Sequence, residues 1–457
     1  MMQPAALAAR VPMPFEAFFA WIAGLLQLSE ANVQNAAWTM ATGALCAAAC
    51  ALIGCFLLLR RMAMLGDALS HSVLAGIGGV YLLTGSIEPL PMFMGALLAG
   101  IVTAAATQFL HRSASVPEDS SIGIVFTSLF ALGVIIISRV KNVHLDLDCV
   151  LFGDLAFAGM NLQPTFGWLV PEAFRTLVPA LLLTIAFLLL FRKELRLTSF
   201  DTTLAATLGF SVPLMHYLMT TVVAIVTVSA MDLVGLLVVA LLIVPPCIAR
   251  MLTDRLGRML WLSVISGVSC TTLGYLLALR WNSSVAGLTA FVSGVELGLV
   301  ILLAPRYGLL GHLIRTVRLR IRIAAEDILA GLFRREEQAT ATSAAPVPLE
   351  ECRVLAGNSL LSGLAIRWLS HHGLLQTADR SAQFTRRGHK YAQHLVRSHR
   401  LWESFLNEHF DLPFDHLHNP AETMEHYIGP AVQQQIIDEL HEPHADPHGR
   451  CIPDKRE

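Results

Sequence analysis

Gly287-Leu-Thr-Ala-Phe-Val-Ser-Gly-Val-Glu-Leu-Gly-Leu-Val-Ile-Leu-Leu-Ala304 runs directly into Pro305-Arg-Tyr-Gly-Leu-Leu-Gly-His-Leu-Ile-Arg-Thr-Val-Arg-Leu-Arg-Ile-Arg322. The first stretch carries a single charge, Glu296, whereas the second carries Arg306, Arg315, Arg318, Arg320 and Arg322 and no acid. The chain changes solvent here. Of the 66 Asp, Glu, Lys and Arg residues in 457, 29 lie in residues 1–304 and 37 in the rest. Twelve of the 17 histidines fall between His371 and His448. An apolar fraction of 54% with long apolar runs excludes a wholly soluble protein and predicts an integral membrane half followed by a soluble tail. The formal net charge of −2 averages two unlike halves. An apolar barrier joined to clustered metal-binding side chains points to moving a metal ion and sensing it.

Working upstream, apolar stretches fall at 36–59, 69–84, 92–110, 122–138, 175–191, 213–230, 231–249, 259–279 and 287–304. Several are shorter than the ~20 residues of a free-standing span, so they require a packed bundle. Eight or nine spans are expected, with 151–170 as a re-entrant or surface helix. Arg60–Arg61, His111–Arg112, Arg192–Lys193–Arg196, Arg250–Arg255–Arg258 and Arg306 face the cytoplasm under the positive-inside rule, leaving Arg139, Lys141, Arg175 and Arg280 outside. Nine spans make the tail cytoplasmic, and the basic run from Arg306 is expected along the inner leaflet. Phe15–Leu28, preceded only by Arg10, reads as an interfacial helix rather than a signal peptide. The eight cysteines form no Cys-x-x-Cys pair. Most lie in or beside apolar stretches, as small buried residues do.

Polar residues are rare in the spans, and the clearest pair is Asp67-Ala-Leu-Ser-His71. Four residues apart on a helix, Asp67 and His71 share a face. A carboxylate beside an imidazole is a partial site for Mn²⁺, Zn²⁺ or Fe²⁺, and ionisable groups at membrane depth are functional candidates. The alternative is that Asp67 caps a helix. The external loop His144-Leu-Asp-Leu-Asp148 offers His144, Asp146 and Asp148 either to receive a metal or as an ordinary solvated loop. No phosphate-binding Gly-x-x-x-x-Gly-Lys-Ser/Thr loop occurs.

Together with Arg60-Arg-Met-Ala-Met-Leu-Gly-Asp-Ala-Leu-Ser-His71, three further stretches carry a family resemblance. They are Ser121-Ile-Gly-Ile-Val-Phe-Thr-Ser-Leu-Phe-Ala-Leu-Gly133, His144-Leu-Asp-Leu-Asp-Cys-Val-Leu-Phe-Gly153 and Val234-Gly-Leu-Leu-Val-Val-Ala-Leu-Leu-Ile-Val-Pro245. Over residues 33–305 the chain resembles the zinc/manganese/iron group of ABC transporter permeases. The resemblance implies a helical bundle paired with a second permease subunit, identical or homologous. It implies a separate ATPase subunit, an extracytoplasmic metal-binding protein as donor, and an ion path through Asp67 and His71. The chain itself is then a transporter subunit with no catalytic residues. Leu197–Gly209 reads either as a coupling helix for the ATPase or as a plain connection.

In the tail, Ala325–Glu337 shows helical periodicity, 339–348 an internal loop, and Leu349–Leu355 and Ser359–His371 short helices. Phe384-Thr-Arg-Arg-Gly-His-Lys390 reads as a wing, with a long helix over Gly388–His409. In Glu422-x-x-Glu425-His426, helical spacing sets Glu422 beside both partners. His399 and Glu403 form a second half-site, with His418 as third ligand. Two carboxylates and an imidazole suit Mn²⁺ or Fe²⁺, with Zn²⁺ competing.

Residues 325–453 resemble the iron- and manganese-dependent repressors of the diphtheria-toxin-repressor family. The resemblance runs through Ala325-Glu-Asp-Ile-Leu329, Thr385-Arg-Arg-Gly388, His399-Arg-Leu-Trp-Glu403, His418-x-x-x-Glu422-x-x-Glu425-His426 and Pro447-His-Gly-Arg-Cys-Ile-Pro453. It implies one metal site from Asp327, Glu422, Glu425 and His426, and a neighbouring one from His399, Glu403 and His418. Glu422 replaces the cysteine of the iron repressors, favouring Mn²⁺, while Ala330 stands where the manganese repressors have a further glutamate. Candidate DNA contacts are Ser359, Ser362, Arg367, Arg386 and Arg387, but 18 basic against 19 acidic residues give no dominant basic field.

The expected fold is an all-α membrane protein, a polytopic bundle of 8–9 spans followed by a mostly α cytoplasmic winged helix and a helical metal-binding and dimerisation domain. Expected divisions are 1–35 (N-terminal segment), 36–305 (permease), 306–324 (basic juxtamembrane linker), 325–395 (winged helix) and 396–457 (metal-binding and dimerisation). The expected function is the permease of a bacterial inner-membrane ABC importer for manganese, with zinc or iron as alternatives, regulated by a fused metal sensor. The competing expectation is a membrane-tethered, metal-dependent DNA-binding regulator.

Overall fold

The computed structural model describes residues 30–457 apart from 86–87, 140–152, 154, 156–157, 161, 166–167, 236, 339–345, 358–360, 411–412, 414–415, 442 and 454–457. The N-terminal interfacial helix and the loop carrying His144, Asp146 and Asp148 therefore lie outside the described residues. Two compact units divide the chain, Met1–Gly311 and His312–Glu457.

In the first unit the apolar stretches become helices α1 (Glu30–Leu59), α2 (Met64–Thr84), α3 (Pro89–Ser113) and α4 (Glu118–Ser138). After a hairpin, α5 (Glu172–Leu190) leads into the short helices α6 (Arg192–Phe200) and α7 (Thr202–Thr207). Helices α8 (Val212–Val234), α9 (Leu237–Leu252), α10 (Leu256–Trp281) and α11 (Val285–Leu303) complete it. Seven described helices are long and apolar enough to cross a membrane, against the expected eight or nine. The difference lies in α2, made less apolar by Asp67 and His71, and in α9, which at 16 residues is short. The chain is a multi-pass helical membrane protein.

Two thirds of α1 and α8 are buried, so they form the centre, whereas α11 is only 11% buried and lines the outside. Lipid tails are as apolar as leucine, so close packing rather than transfer from water must hold such helices together. Small residues supply it. A side chain at Gly54 on α1 would strike the backbone carbonyl of Leu242 on α9, and Ala47, Ala49 and Ala51 of α1 are fully buried. Pro245 and Pro246 sit inside α9. The break between α8 and α9 falls at Gly235 (φ 56°, ψ −139°), a conformation open to glycine, so α9 starts later than its apolar run.

Where a helix is expected over 151–170, the described residues 162–165 and 168–171 are strand. Strands β1 (Leu162–Thr165) and β2 (Trp168–Pro171) pair antiparallel. Pro164 and Pro171 disfavour helix there.

The second unit opens on α12 (Leu309–Gln338), whose first turn holds the division between units. Most of the expected 306–324 linker is thus helical. Strand β3 (Val347–Pro348), α13 (Leu349–Leu355), α14 (Ser362–His371), β4 (Leu375–Ala378), β5 (Ser381–Phe384) and α15 (Arg386–His409) follow. The sheet order is β3-β5-β4. The wing is the β4–β5 hairpin, turning through Asp379 and Arg380 with φ of 47° and 60°, as a two-residue hairpin requires. Of the stretch expected as wing, 384–390, Phe384 ends β5 and the rest starts α15, where Thr385 accepts a hydrogen bond from the Gly388 amide (2.9 Å). Ile328, Leu329, Leu369, Leu375 and Val396 centre one core. Helices α16 (His418–Met424) and α17 (Pro430–Glu439) complete the unit, with Leu401, Ile436, Leu440 and Ile452 forming a second cluster.

Candidate metal sites

In the membrane unit, α2 follows a tight corner at Arg61 (φ 61°). Arg60 on that corner donates to Thr198 and Ser199 of α6. Asp67 lies in the first turn of α2, where the helix dipole favours a negative charge. Its Oδ1 is 3.3 Å from Nε2 of His71, and both side chains are about a quarter to a third exposed. The His71 ring stacks on Phe126 (5.8 Å) and meets Phe130 edge-on (5.5 Å). A carboxylate and an imidazole face one another beside an aromatic wall. Asp201 caps α7 by accepting from the Leu204 amide (2.8 Å). Phe200, Leu204 and Leu208 are exposed there, an apolar surface on the candidate coupling segment.

In the tail, amphipathic α15 turns His399 and Glu403 inward, 3% and 2% exposed, and His418 opens α16. His399 Nε2, His418 Nδ1 and Glu403 Oε1 form a triangle with edges of 3.0, 2.9 and 3.0 Å. His418 is half exposed and opens the group to solvent. Burial disfavours the charge on Glu403, but hydrogen bonds from His399 and His418 outweigh it and hold the acid at about 2. His399 is raised, since burial is outweighed by Glu403 and Glu425.

The second group joins Asp327 of α12 to Glu425 and His426, just past α16. His426 Nε2 is 3.2 Å from Asp327 Oδ1, and its Nδ1 is 2.8 Å from Glu326 Oε2. Burial opposes protonation of this ring, yet Asp327 and Glu326 lift it to about 9. Glu425 is buried, with its Oε2 3.3 Å from Arg334 and 2.6 Å from His399 Nδ1. The latter nitrogen is buried without an aligned hydrogen bond. In each group one ligand atom from each residue lies within 4.8 Å of the others. Two imidazole–carboxylate sets, largely buried and close enough for one ion each, fit a divalent transition metal.

Glu422 is not brought in. It is exposed, one turn short of the point where Glu425 and His426 meet α12. Ala330 is buried and offers no ligand. Glu326, Arg334 and Tyr391, which shape the second group, were not legible as site residues. The one available signal was a second acid, Glu326, beside Asp327 within the run Ala324–Ala330. Of the candidate DNA contacts, Arg367, Arg386 and Arg387 are exposed. Ser362 is buried at 3% and so is withdrawn from a surface role, and Ser359 lies outside the described residues.

Residues 31–303 match the ABC 3 transport family, and residues 385–454 match the iron dependent repressor, metal binding and dimerisation domain. The manganese transport system membrane protein MntD of Bacillus subtilis is 44% identical over 287 residues, covering 62% of this chain and 97% of that protein. The zinc transport system membrane protein TroD of Treponema pallidum is 39% identical over 262 residues, covering 57% and 71%. Among solved structures, PsaBC from Streptococcus pneumoniae in complex with Fab covers 63% of this chain and 97% of its own, with a TM-score of 0.53 at 28% identity. The chain belongs to the ABC 3 transport family, and its permease half is continued by an iron-dependent-repressor-type metal-binding domain.

Proposed function

We propose that this chain is the permease subunit of an ABC importer for Mn²⁺, with Zn²⁺ or Fe²⁺ as the alternative cargo, and that its tail is a cytoplasmic metal sensor that regulates transport. The observation that carries the reading is the union in one chain of two parts. One is a permease half spanning 97% of a manganese-system relative; the other is a tail in which two imidazole–carboxylate groups converge. A separate ATPase, an extracytoplasmic binding protein and a second permease subunit complete the importer. The ion is handed over outside and passes the Asp67–His71 pair as the two permease halves rock. Carboxylate and imidazole replace part of its hydration, and the Phe126 and Phe130 rings confine His71.

On the cytoplasmic side, Asp327, Glu425 and His426 would hold one ion, and His399, Glu403 and His418 another. A bound ion supplies positive charge that draws these carboxylates together. The tail thereby biases the permease against further cycling, and by linkage the transport state alters tail affinity. The tethered DNA-binding reading is not favoured, because the permease half spans nearly the whole of MntD and Ser362 is buried.

The test is ATP-dependent uptake of radiolabelled Mn²⁺ by vesicles holding this chain, the ATPase and the binding protein, with Zn²⁺ and Fe²⁺ as competitors. Saturable Mn²⁺ uptake is expected. Uptake of Zn²⁺ alone would replace the cargo assignment, and no metal uptake would end the transport reading.

A further inference from the structure

Glu326 is a carboxylate 1% exposed, set in a run where Ala324, Ala325, Ile328, Leu329 and Ala330 are all buried. An acid in such a position is costly unless its lone pairs are matched. Here they are matched three times. Oε1 accepts from Tyr391 Oη (2.5 Å) and from Arg322 Nε (2.8 Å), while Oε2 lies 2.8 Å from Nδ1 of His426.

The Arg322 guanidinium can only donate, and Tyr391 Oη donates to the same oxygen, so this carboxylate is the acceptor of the group and His426 its third donor. The proton between Glu326 and His426 therefore sits on Nδ1, and in the neutral ring the free lone pair is on Nε2, the atom that faces Asp327 at 3.2 Å. A ring nitrogen anchored to a carboxylate while the other addresses an ion is a recurrent means of orienting a metal-ligating histidine and raising its basicity. The partners of Glu326 come from three places: Arg322 one turn earlier on α12, Tyr391 on α15, and His426 beyond α16.

The geometry points to Glu326 as the positioning residue of the Asp327–Glu425–His426 site, presenting His426 to a divalent cation through Nε2 while Tyr391 and Arg322 fix the carboxylate. This rests on the reading of the tail as a metal sensor. Glu326 is not itself a ligand, since both its oxygens are already engaged. Arg322 is also the last arginine of the basic run, so the carboxylate that orients His426 is bonded directly to the basic N-terminal half of α12.

The test is equilibrium Mn²⁺ binding to the full chain in lipid nanodiscs, with free Mn²⁺ read by electron paramagnetic resonance. Wild type is compared with Glu326→Gln, which keeps shape but not charge, and with Glu326→Asp. Two binding events are followed, and a His399→Ala/His418→Ala background assigns them. The expected result is a loss of about 10–100-fold in affinity at the His426 site in Glu326→Gln, partial recovery in Glu326→Asp, and unchanged affinity at the His399 site. Unchanged affinity at the His426 site would overturn the proposal, as would an equal loss at both sites, which marks a merely structural role. If wild type binds no Mn²⁺, the sensor reading falls with it. If wild type binds and Glu326→Gln binds equally, only the role of Glu326 falls.

Discussion

Oε2 of Glu425 lies 2.6 Å from Nδ1 of His399, so the two ligand groups of the tail share a boundary rather than standing apart. His399 turns its other nitrogen to Glu403 and His418. Glu425 belongs with Asp327 and His426.

Loss of the His399 ring leaves Glu403 buried with His418 as its remaining partner in the group. His399→Leu is expected to destabilise the metal-free second unit by on the order of 3 kcal/mol. Denaturant unfolding followed by the fluorescence of Trp402, which stacks on Phe405, measures it. A change below about 0.5 kcal/mol would mean that the pair contributes little to folding.

The His426 ring gives the tail a pH dependence of known sign. Its folded value of about 9 exceeds the ordinary histidine value of about 6.5. Its contribution to metal-free stability is thus complete below about pH 6.5 and is lost as pH rises through 9. A metal must displace that proton. Mn²⁺ affinity should therefore rise between pH 6.5 and 9 with proton release, measured by titration in two buffers of different ionisation enthalpy. Affinity that is flat with pH would contradict it.

Asp67→Asn and His71→Ala should each lower Mn²⁺ uptake at least about tenfold, a loss of about 1.4 kcal/mol or more in barrier terms. Membrane levels should stay at those of wild type. Uptake within twofold of wild type in both variants would remove the pair from the ion path.

Gly54→Ala should destabilise the bundle by about 1–3 kcal/mol, the usual cost of overpacking, because the added methyl meets the Leu242 carbonyl. A detergent thermal-stability assay reads this. Gly79→Ala, where a methyl meets nothing within 4 Å, is the control.

Much of this architecture was written in the hydropathy of the chain. Each apolar stretch corresponds to one described helix from α1 to α5 and from α8 to α11, since long apolar runs admit few alternatives. Boundaries drifted where backbone conformation decided them, as at Gly235. The β1–β2 hairpin was missed because its two prolines limit helix without announcing a strand. In the tail, helical spacing singled out Glu425, His426, His399 and Glu403, which fall into the two groups of side chains that converge. It misplaced Glu422, since the second group is completed by α12, far away in sequence. Tyr391 and Arg334 had no local signal at all, as their roles come only from what folding places against them.

The most direct measurement is Mn²⁺ uptake into vesicles loaded internally with or without Mn²⁺, comparing wild type with Glu425→Gln/His426→Ala, with the ATPase and binding protein supplied. Internal Mn²⁺ should inhibit wild type and leave the double variant unaffected. Equal uptake in both, whatever the internal metal, would contradict a transport-sensing tail.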